Sequence, residues 1–353
     1  MSPQRLGKFN HSTLDRLIYR HLGRRRKEVL VGPRFGVDNS VQSLGNGEVL
    51  VATCDPLSFI PELDARDSAW LSVNLLASDL TTSGLMPQFG IFDLNLPPKM
   101  KNSEFEQYWD AFCAECNRLG ISIVGGHTGR YQGCDYTVIG AGVLYAVGEE
   151  NRYLVSSMAR TGDNLILTKG AAVETTAILA RVFPDTVKNA LGAYLFKKAW
   201  ESLACVSTVK DALAAVSIGF HGHGVTAMHD ATEGGVISAV MELAYASNLG
   251  AELNLSEIHV PEETEKICKL FHIDPLKSLS EGSLIVACRP QHTQRLLDRL
   301  RKVRIDSYVI GVLTSKADQV YATSKNHKRV PMQYPRLDPY WNAYWKAYRE
   351  HWK

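Results

Sequence analysis

The sequence predicts two domains built from β-sheets that are covered by helices. The chain has 353 residues, whereas a typical domain holds roughly 100–200. Strand-length apolar runs alternate with helical patterns throughout, which favours layered sheets and helices over a helical bundle or an all-β sandwich. A polar stretch at residues 148–152 separates two such series, so we expect domains at residues 1–155 and 156–353.

The composition is that of an ordinary globular protein. Lys plus Arg number 39 and Asp plus Glu 37, giving a formal net charge of +2, and 45% of the residues are hydrophobic. A protein specialised for nucleic acid would carry a strongly basic domain, and a membrane span would need about 18 uninterrupted apolar residues. Seven scattered cysteines, an odd number, favour a reducing compartment. We therefore expect a cytoplasmic protein that binds neither nucleic acid nor membranes.

The first half predicts a strand and a helix that both carry acidic residues. An apolar run at 49–54 predicts a strand that stops at Asp55-Pro56, since proline removes a hydrogen bond from the ladder. Asp67 is expected to cap a helix that continues to Gly84. Asp79 lies inside the apolar pattern of that helix.

The remaining elements follow from apolar runs bounded by glycine, proline and polar turns. Predicted strands lie at 121–124, 138–147, 164–168, 283–288 and 307–313, predicted helices at 174–182, 236–246 and 292–302, and predicted glycine-rich loops at 125–130 and 219–235. Aromatic residues recur at helical spacing from Tyr340 to Trp352. This spacing predicts a terminal helix that packs on the second domain or on a partner chain.

Two further patterns have simple structural explanations. Cys113 and Cys116 form a lone CxxC inside a helical pattern, which favours packed thiols over a zinc site. His221, His223 and His229 lie close in sequence and could bind a transition metal. Ordinary loop histidines are the simpler interpretation of this group.

Four segments have the form of a phosphate and magnesium site. Glycine-rich turns after strands let backbone N–H groups approach phosphate oxygens, and Asp carboxylates hold the accompanying Mg²⁺. The segments lie at residues 36–41, 77–80, 125–130 and 229–236. For each segment alone, an Asx turn or a helix cap is the more common explanation.

In this order, the four segments resemble the superfamily of aminoimidazole-ribonucleotide (AIR) synthetase, which includes HypE, selenophosphate synthetase and thiamine-monophosphate kinase. The segment around Asp38 is similar to the family's Gly-Asp-Asp-Ala-Ala-Val, Asp55 matches its Thr-Thr-Asp, and Ser78-Asp79-Leu80 matches its Asn/Ser-Asp-Leu. The Asp230 segment is most similar to HypE-like members. The resemblance covers nearly the whole chain and implies an α+β PurM-like fold, with an N-terminal dimerising β-sheet domain and a C-terminal α/β sandwich domain.

The resemblance also implies a homodimer that uses ATP and Mg²⁺. It implies Asp38, Asp79 and Asp230 as metal ligands. The residues expected near the nucleotide are Gly36, Asp55, Gly125, Gly126, Thr128, Glu174, Glu233, Gly234 and Gly235. Lys169 is expected to neutralise phosphate charge. His127 is expected to bond a phosphate or act as a base, with a purely structural role in capping the loop as the alternative.

Departures from the family patterns limit the functional expectation. Val37 replaces the first aspartate of Gly-Asp-Asp, the first cysteine is Cys54, and the chain ends at Lys353 instead of the Pro-Arg-Ile-Cys of HypE. We expect a HypE-like enzyme that transfers phosphate from ATP to, or activates, a small-molecule acceptor or the thiol of a carrier protein. The alternatives are a thiamine-monophosphate-kinase-like phosphotransferase and a catalytically retired nucleotide-binding assembly partner.

Overall fold

The computed structural model describes residues 7–317, 319–324, 328–335 and 337–353. The chain divides into two compact units. The N-terminal unit comprises Lys27–Gly32 and Asp38–Tyr153, and the C-terminal unit comprises Leu154–Lys353, Pro33–Val37 and the described part of Met1–Arg26. A short helix, α1 (His11–Leu14), continues as a π-helical turn, Asp15–Tyr19, and belongs to the C-terminal unit. Both units combine sheets with helices, which confirms the predicted α+β class.

A six-stranded sheet forms the N-terminal unit. Its strands are β1 (Val29–Val31), β2 (Ser40–Gly45), β3 (Glu48–Ser58), β4 (Phe89–Leu96), β5 (Ser122–Arg130) and β6 (Val138–Glu149). The strand order is β1-β2-β3-β6-β4-β5, and every neighbouring pair is antiparallel except β4 and β5. Two helices, α2 (Ala65–Thr81) and α3 (Asn102–Leu119), pack together against this sheet.

The helices cover one face of this sheet, as the alternation of buried and exposed side chains along β4 shows. Phe92 and Leu94 are buried, whereas Ile91 and Asp93, which alternate with them, point to the exposed face. β5 is exposed along nearly its whole length. The strand predicted at 121–124 is confirmed as the start of β5, although it is exposed where a buried strand was expected. The predicted loop at 125–130 is wrong, because the strand continues and pairs with β4 from Ser122 to Arg130.

The predicted end of the strand at Asp55-Pro56 is also wrong. β3 continues to Ser58, and Pro56 lies opposite Ala141 of β6. Within the described residues β2 pairs with β3 only as far as Ala52. A proline beyond that point leaves the β2 ladder intact, which is the edge position where sheets tolerate proline.

The cap of α2 lies three residues before the predicted one. The side chain of Asp64 accepts a hydrogen bond from the backbone N–H of Asp67 at 2.7 Å. Asp67 itself lies in the first turn, where a negative charge complements the helix dipole. In α3, Cys116 is buried and burial raises the pKa of its thiol to about 12, as a packed core residue requires.

A seven-stranded sheet forms the centre of the C-terminal unit. Its strands are β7 (Asn164–Thr168), β8 (Val225–Asp230), β9 (Gly250–Asn254), β10 (Leu284–Cys288), β11 (Ser307–Thr314), β12 (Val320–Thr323) and β13 (Arg329–Pro331). The order is β13-β12-β9-β11-β7-β10-β8, antiparallel except for the pair β9 and β12. The helices are α4 (Val173–Val182), α5 (Pro184–Glu201), α6 (Val209–Val216), α7 (Gly235–Ala246), α8 (Glu262–Phe271), α9 (Thr293–Lys302) and α10 (Pro339–Arg349).

Both faces of this sheet are buried. Leu165 and Leu167 of β7 pack in a cluster with α7, whereas Ile166 between them packs in a second cluster with α6 and α9. Side chains of a strand alternate between faces, so a strand covered on both sides is apolar at every position. This explains why β7 and β10 are visible in the sequence as continuous apolar runs.

The predicted loop at 219–235 instead contains the strand β8, which is buried at all six positions. His221 and His223 precede this strand and His229 lies near its end. Four strand steps from Val225 to His229 span about 13 Å, so the three histidines do not form one metal cluster.

The aromatic tail forms the predicted helix, α10. Tyr340 and Tyr344 are buried, and Tyr344 contacts the ring of Phe183 with centroids 5.8 Å apart. The helix therefore packs on the C-terminal unit, one of the two predicted locations. Across the described residues, none of the helices has both the length and the apolar character that crossing a bilayer requires.

Candidate functional site

Three predicted acidic residues lie in the N-terminal unit on neighbouring elements. Asp38 directly precedes β2, Asp55 lies on β3 and Asp79 lies in the last turn of α2. Each is partly exposed. A negative charge is unfavourable near the C-terminus of a helix, so Asp79 occupies a position that a nearby cation would stabilise.

Thr53 and Asn39 connect two of these acidic residues. The Thr53 hydroxyl lies 3.2 Å from the Asp38 carbonyl oxygen and 3.4 Å from Asp79 Oδ2. The Asn39 amide donates to the Asp79 carbonyl at 2.9 Å and to the Thr82 hydroxyl at 2.8 Å. Asp55 follows Thr53 by two residues and so faces the same side of β3. The Asp38 backbone and the Asp79 carboxylate therefore meet at the Thr53 hydroxyl, and Asp55 lies on the same face of β3.

The donor set around Asp38, Asp55 and Asp79 fits Mg²⁺. Mg²⁺ prefers oxygen ligands and is usually held through one or two carboxylates together with substrate phosphates. Asn39 Oδ1 is buried and has no hydrogen-bond partner among the described residues. A buried acceptor without a donor is costly, and a hydrated cation beside it would supply one. The chemistry of this cluster thus suits the metal that the sequence motifs imply.

The glycine-rich segment 125–128 lies within β5, on the exposed edge of the N-terminal sheet. Gly126 has a φ of +155°, and a Cβ there would lie 2.1 Å from the carbonyl oxygen of Phe92. Glycine is required because β4 passes so close. The neighbouring His127 is exposed, and its Nε2 lies 2.5 Å from the hydroxyl of Tyr131. Thr128 lies level with Leu94 in the ladder.

The C-terminal unit places its predicted residues along one edge of its sheet. β7 and β8 are both antiparallel to β10, so they run parallel to each other and their carboxyl ends meet the same edge. Lys169 follows β7, and Asp230 ends β8. Two strand spacings separate these ends, about 10 Å. Ser283 joins the two loops, accepting from the Ala231 N–H at 2.8 Å and donating to the Gly170 carbonyl at 2.5 Å.

Lys169 is held in an ion pair at this edge. Its Nζ lies 3.1 Å from Asp211, which is nearly fully buried, and donates to the Ser207 carbonyl at 2.8 Å. Glu174 lies in the first turn of α4 and is buried. The structure thus gives the ammonium group a carboxylate partner of its own, and a phosphate would have to compete with Asp211.

A buried His–Glu–Tyr chain supports the end of β8. His229 Nε2 lies 2.9 Å from Glu242 of α7, and the Tyr334 hydroxyl donates to the other oxygen of Glu242. Burial alone would raise the pKa of Glu242, but the hydrogen bond and charge of His229 outweigh it and lower this pKa. Asp230, the next residue, is fully buried. Gly36 packs on the same helix, with a φ of +73° and its Cβ direction 2.4 Å from the Glu242 carbonyl oxygen.

Two residues hold the glycine-rich turn that follows β8. The backbone N–H of Lys8 donates to Glu233 at 2.8 Å, and its Nζ donates to Thr232 at 2.6 Å. From the other side, the carboxylate of Asp338 accepts from the Gly234 N–H at 2.7 Å and from the Tyr340 N–H at 2.8 Å. Asp338 therefore ties the N-terminus of α10 to the turn. Gly235 begins α7 directly after it.

Asp338 should make the stability of the C-terminal unit depend on pH. Burial raises the pKa of this carboxyl from 3.8 to about 6. Because the folded pKa is the higher one, the protonated carboxyl stabilises the fold fully below pH 4, and this contribution is lost as the pH rises through 6. We expect the wild type to lose about 2 kcal/mol relative to Asp338→Asn between pH 4 and pH 7. Chemical denaturation of both proteins across this range measures it, and a constant difference would contradict the assignment.

Four residues of these networks, Asn39, Thr53, Glu242 and Asp338, were not predicted from the sequence. Asn39 and Thr53 lie one and two positions from predicted acidic residues, so their proximity was available from the sequence. Asp338 is followed by proline at the first position of α10, which is a recognisable helix start. No local sequence pattern indicates a role for Glu242, because its pairing with His229 depends on how α7 packs against β8.

The comparisons with known proteins agree with this architecture. The N-terminal domain model of AIR synthase related proteins matches residues 36–144, and the C-terminal domain model matches residues 160–322. Selenide, water dikinase of Methanocaldococcus jannaschii is 26% identical over 318 residues, which are 86% of each chain. Carbamoyl dehydratase HypE of Azotobacter vinelandii is 26% identical over 273 residues, 75% of this chain and 74% of the relative.

The fold is shared with a solved structure of the hydrogenase maturation protein HypE in complex with ATP. The TM-score is 0.63 at 18% identity, and the match covers 95% of this chain and 97% of the other. The relatives named here include proteins described as a dikinase and a dehydratase, so the shared fold serves more than one reaction. The two matched domains together span well over half of the sequence, and the chain belongs to the AIR synthase-related, PurM-like family, in which HypE proteins are among its relatives.

Proposed function

We propose that this protein is a magnesium-dependent enzyme that uses ATP to phosphorylate or activate an acceptor. The observation that carries the proposal is the cluster of the N-terminal unit, in which Thr53 bridges Asp38 and Asp79 while Asn39 keeps a buried acceptor unsatisfied. ATP-using relatives support it at the level of the family. The bound ion would supply charge neutralisation on the phosphates, which is most of what phosphoryl transfer needs from a protein.

The proposal gives each predicted residue a role. Asp38 and Asp79 would bind the metal, with Asp55 as an added carboxylate. Asp230 is assigned as a ligand on its motif. The backbone of Gly36, Gly125, Gly126, Gly234 and Gly235, with Thr128, Glu174 and Glu233, would bind the nucleotide. Lys169 would neutralise phosphate charge once its pair with Asp211 is exchanged, and His127 would hydrogen-bond a phosphate or accept a proton.

The acceptor is proposed to be a small molecule or the thiol of a carrier protein. A thiamine-monophosphate-kinase-like reaction is the second candidate, favoured by Arg130 after the glycine-rich strand segment. The side chain of Arg130 donates to Asn102 at 2.7 Å, and this pair would have to open for the guanidinium to bind phosphate. A retired, purely nucleotide-binding protein is the third candidate, motivated by Val37.

Calorimetry with ATP tests the proposal directly. We expect the full chain to bind ATP when Mg²⁺ is present. This binding should be lost when EDTA removes the metal. Release of ADP that is stimulated by an added acceptor distinguishes an enzyme from a retired nucleotide-binding protein. Absence of ATP binding in the presence of Mg²⁺ would overturn the proposal.

We also propose that the protein is a homodimer formed through β5. This edge strand is long and exposes Ile123 and Val124, the latter by 50%, beside Ile91 of β4. A long apolar edge pairs readily with another strand unless it is covered. We expect Val124→Lys to convert a dimer into a monomer in sedimentation equilibrium. Tyr194→Lys, which introduces the same charge at a still more exposed position on α5, is the control and should leave the mass unchanged. A dimeric Val124→Lys protein would contradict this interface.

A further inference from the structure

A cavity lined by aromatic side chains lies in the C-terminal unit, outside the residues assigned above. Its volume is about 390 Å³, within the range of small-molecule sites. It is lined by Asn10, His11, Ser12, Phe35, Tyr245 and Tyr334, together with the apolar side chains of α7 and its surroundings. Four separate stretches of the described chain therefore build its aromatic wall, which indicates a shaped pocket and not a groove along one helix.

The rings of this wall are arranged around Phe35. Its centroid lies 5.1 Å from that of His11, 5.6 Å from that of Tyr245 and 5.5 Å from that of Tyr334, with interplanar angles of 57–84°. Aromatic rings attract one another in tilted and edge-to-face arrangements at these separations. A flat ring bound in the cavity would contact the faces and edges of these rings in the same favourable geometry. A saturated ring would be stabilised only by the burial of its apolar surface.

His11 adds a polar group to this otherwise apolar wall. Its Nε2 lies 3.0 Å from Asp15 and 2.6 Å from the hydroxyl of Tyr245. The carboxylate accepts only, so the network places the proton on Nε2. In the neutral imidazole Nδ1 then carries a lone pair, and it has no hydrogen-bond partner in the described part of the chain. A ring that carries an N–H or O–H group would satisfy it.

The cavity adjoins the residues that hold the turn after β8. Tyr334 lines the cavity and donates to Glu242, which pairs with His229 next to Asp230. Phe35 is followed directly by Gly36, which packs on the Glu242 backbone. A ligand in the cavity would therefore rest on the same side chains that fix the end of β8.

Building on the proposed function, we propose that this cavity binds the flat heteroaromatic part of the acceptor substrate. Phe35, Tyr245 and Tyr334 provide the ring contacts, and His11 Nδ1 accepts a hydrogen bond from the ring's N–H or O–H. The acceptor is then a small molecule with an aromatic ring, and a carrier-protein thiol is excluded as the group that fills this cavity.

Fluorine NMR with 5-fluoroindole as the probe tests the pocket on the full chain. We expect 5-fluoroindole to bind at least tenfold more tightly than fluorocyclohexane. The Phe35→Leu variant should bind 5-fluoroindole about five- to tenfold more weakly than wild type, because it loses an edge-to-face contact. Tyr194→Leu removes an exposed ring of the same unit and serves as the matched control with unchanged binding. If the two probes bound with equal affinity, or if Phe35→Leu folded and bound 5-fluoroindole as wild type does, the proposal that this cavity binds aromatic rings would be overturned.

A methylated probe tests the hydrogen bond to His11. We expect 1-methyl-5-fluoroindole to bind wild type more weakly than 5-fluoroindole, and the two probes to bind His11→Phe equally, because that variant keeps a ring and loses the acceptor. A preference for 5-fluoroindole that persists in His11→Phe would overturn the role of Nδ1.

An experiment with manganese ATP distinguishes a failure of the acceptor assignment from a failure of the proposed function. With Mn²⁺ in place of Mg²⁺, we expect the nucleotide to broaden the fluorine signal of bound 5-fluoroindole without displacing it. Displacement by ATP would mean that the base of the nucleotide occupies the cavity, and absence of broadening would place the cavity away from the reaction; either overturns the proposal. If the protein binds no ATP, the proposed function fails, together with the acceptor role, while the probe titrations still decide whether the ring pocket exists.

Discussion

Asp79→Asn should bind magnesium ATP roughly 100-fold more weakly than wild type, since even substitutions outside the ligand sphere of a metal cost 10- to 100-fold in affinity. The variant keeps the size of the side chain and removes its charge. Thr53 can still donate to the remaining oxygen of the amide, so the local hydrogen bond does not require the carboxylate. The lost affinity would therefore report on the cation and not on the fold.

The stability of Asp79→Asn should change in the opposite direction. Asp79 lies in the last turn of α2, where the helix dipole disfavours a negative charge by about 0.3–1 kcal/mol. Without metal, the variant is thus expected to unfold at the same or a slightly higher denaturant concentration. Asp110→Asn, which removes an exposed carboxylate from α3 of the same unit, is the matched control for calorimetry. Unchanged nucleotide affinity in Asp79→Asn would remove Asp79 from the metal site.

The sequence predicted those elements best whose burial is uniform or strictly periodic. β7 and β10 are buried on both faces and appear as continuous apolar runs, and α7 is buried at ten of its twelve positions. β8 was missed because its apolar residues are interrupted by Thr226 and His229, which look polar locally. The hydrogen bonds from Thr226 to Asp163 and from His229 to Glu242 allow both to be buried, and such distant partners have no signature in the local sequence.

The N-terminal errors have a different cause. Glycine-rich residues 125–130 look like a loop, yet they extend as β5 because β4 offers a parallel partner along their whole length. Asp64 and Asp67 are both acceptable helix caps, and local sequence does not decide between them. The acidic residues themselves were identified by motif, but the bridging role of Thr53 follows from the fold of α2 onto β3 and could not be derived from spacing.

Glu242→Ala should lower the free energy of unfolding by about 3–5 kcal/mol, the cost of removing one partner from a buried charged pair. The substitution leaves the buried ring nitrogen of His229 and the hydroxyl of the partly buried Tyr334 without the carboxylate they share. It also leaves a void beside β8, which adds to the penalty. Chemical denaturation followed by tryptophan fluorescence measures the change.

Two further variants distinguish the loss of the buried His229–Glu242 pair from the general effect of removing a glutamate side chain. Glu242→Gln keeps the volume and one hydrogen-bond acceptor, so it should recover part of the stability lost in Glu242→Ala. Glu252→Ala removes an acid that pairs with Arg329 on the surface, and an exposed pair of this kind contributes at most about 1 kcal/mol. If Glu242→Ala cost no more than Glu252→Ala, the chain from Tyr334 through Glu242 to His229 would not support β8. The end of that strand, including Asp230, would then be held by its pairing with β10 and by the Ser283, Lys8 and Asp338 contacts.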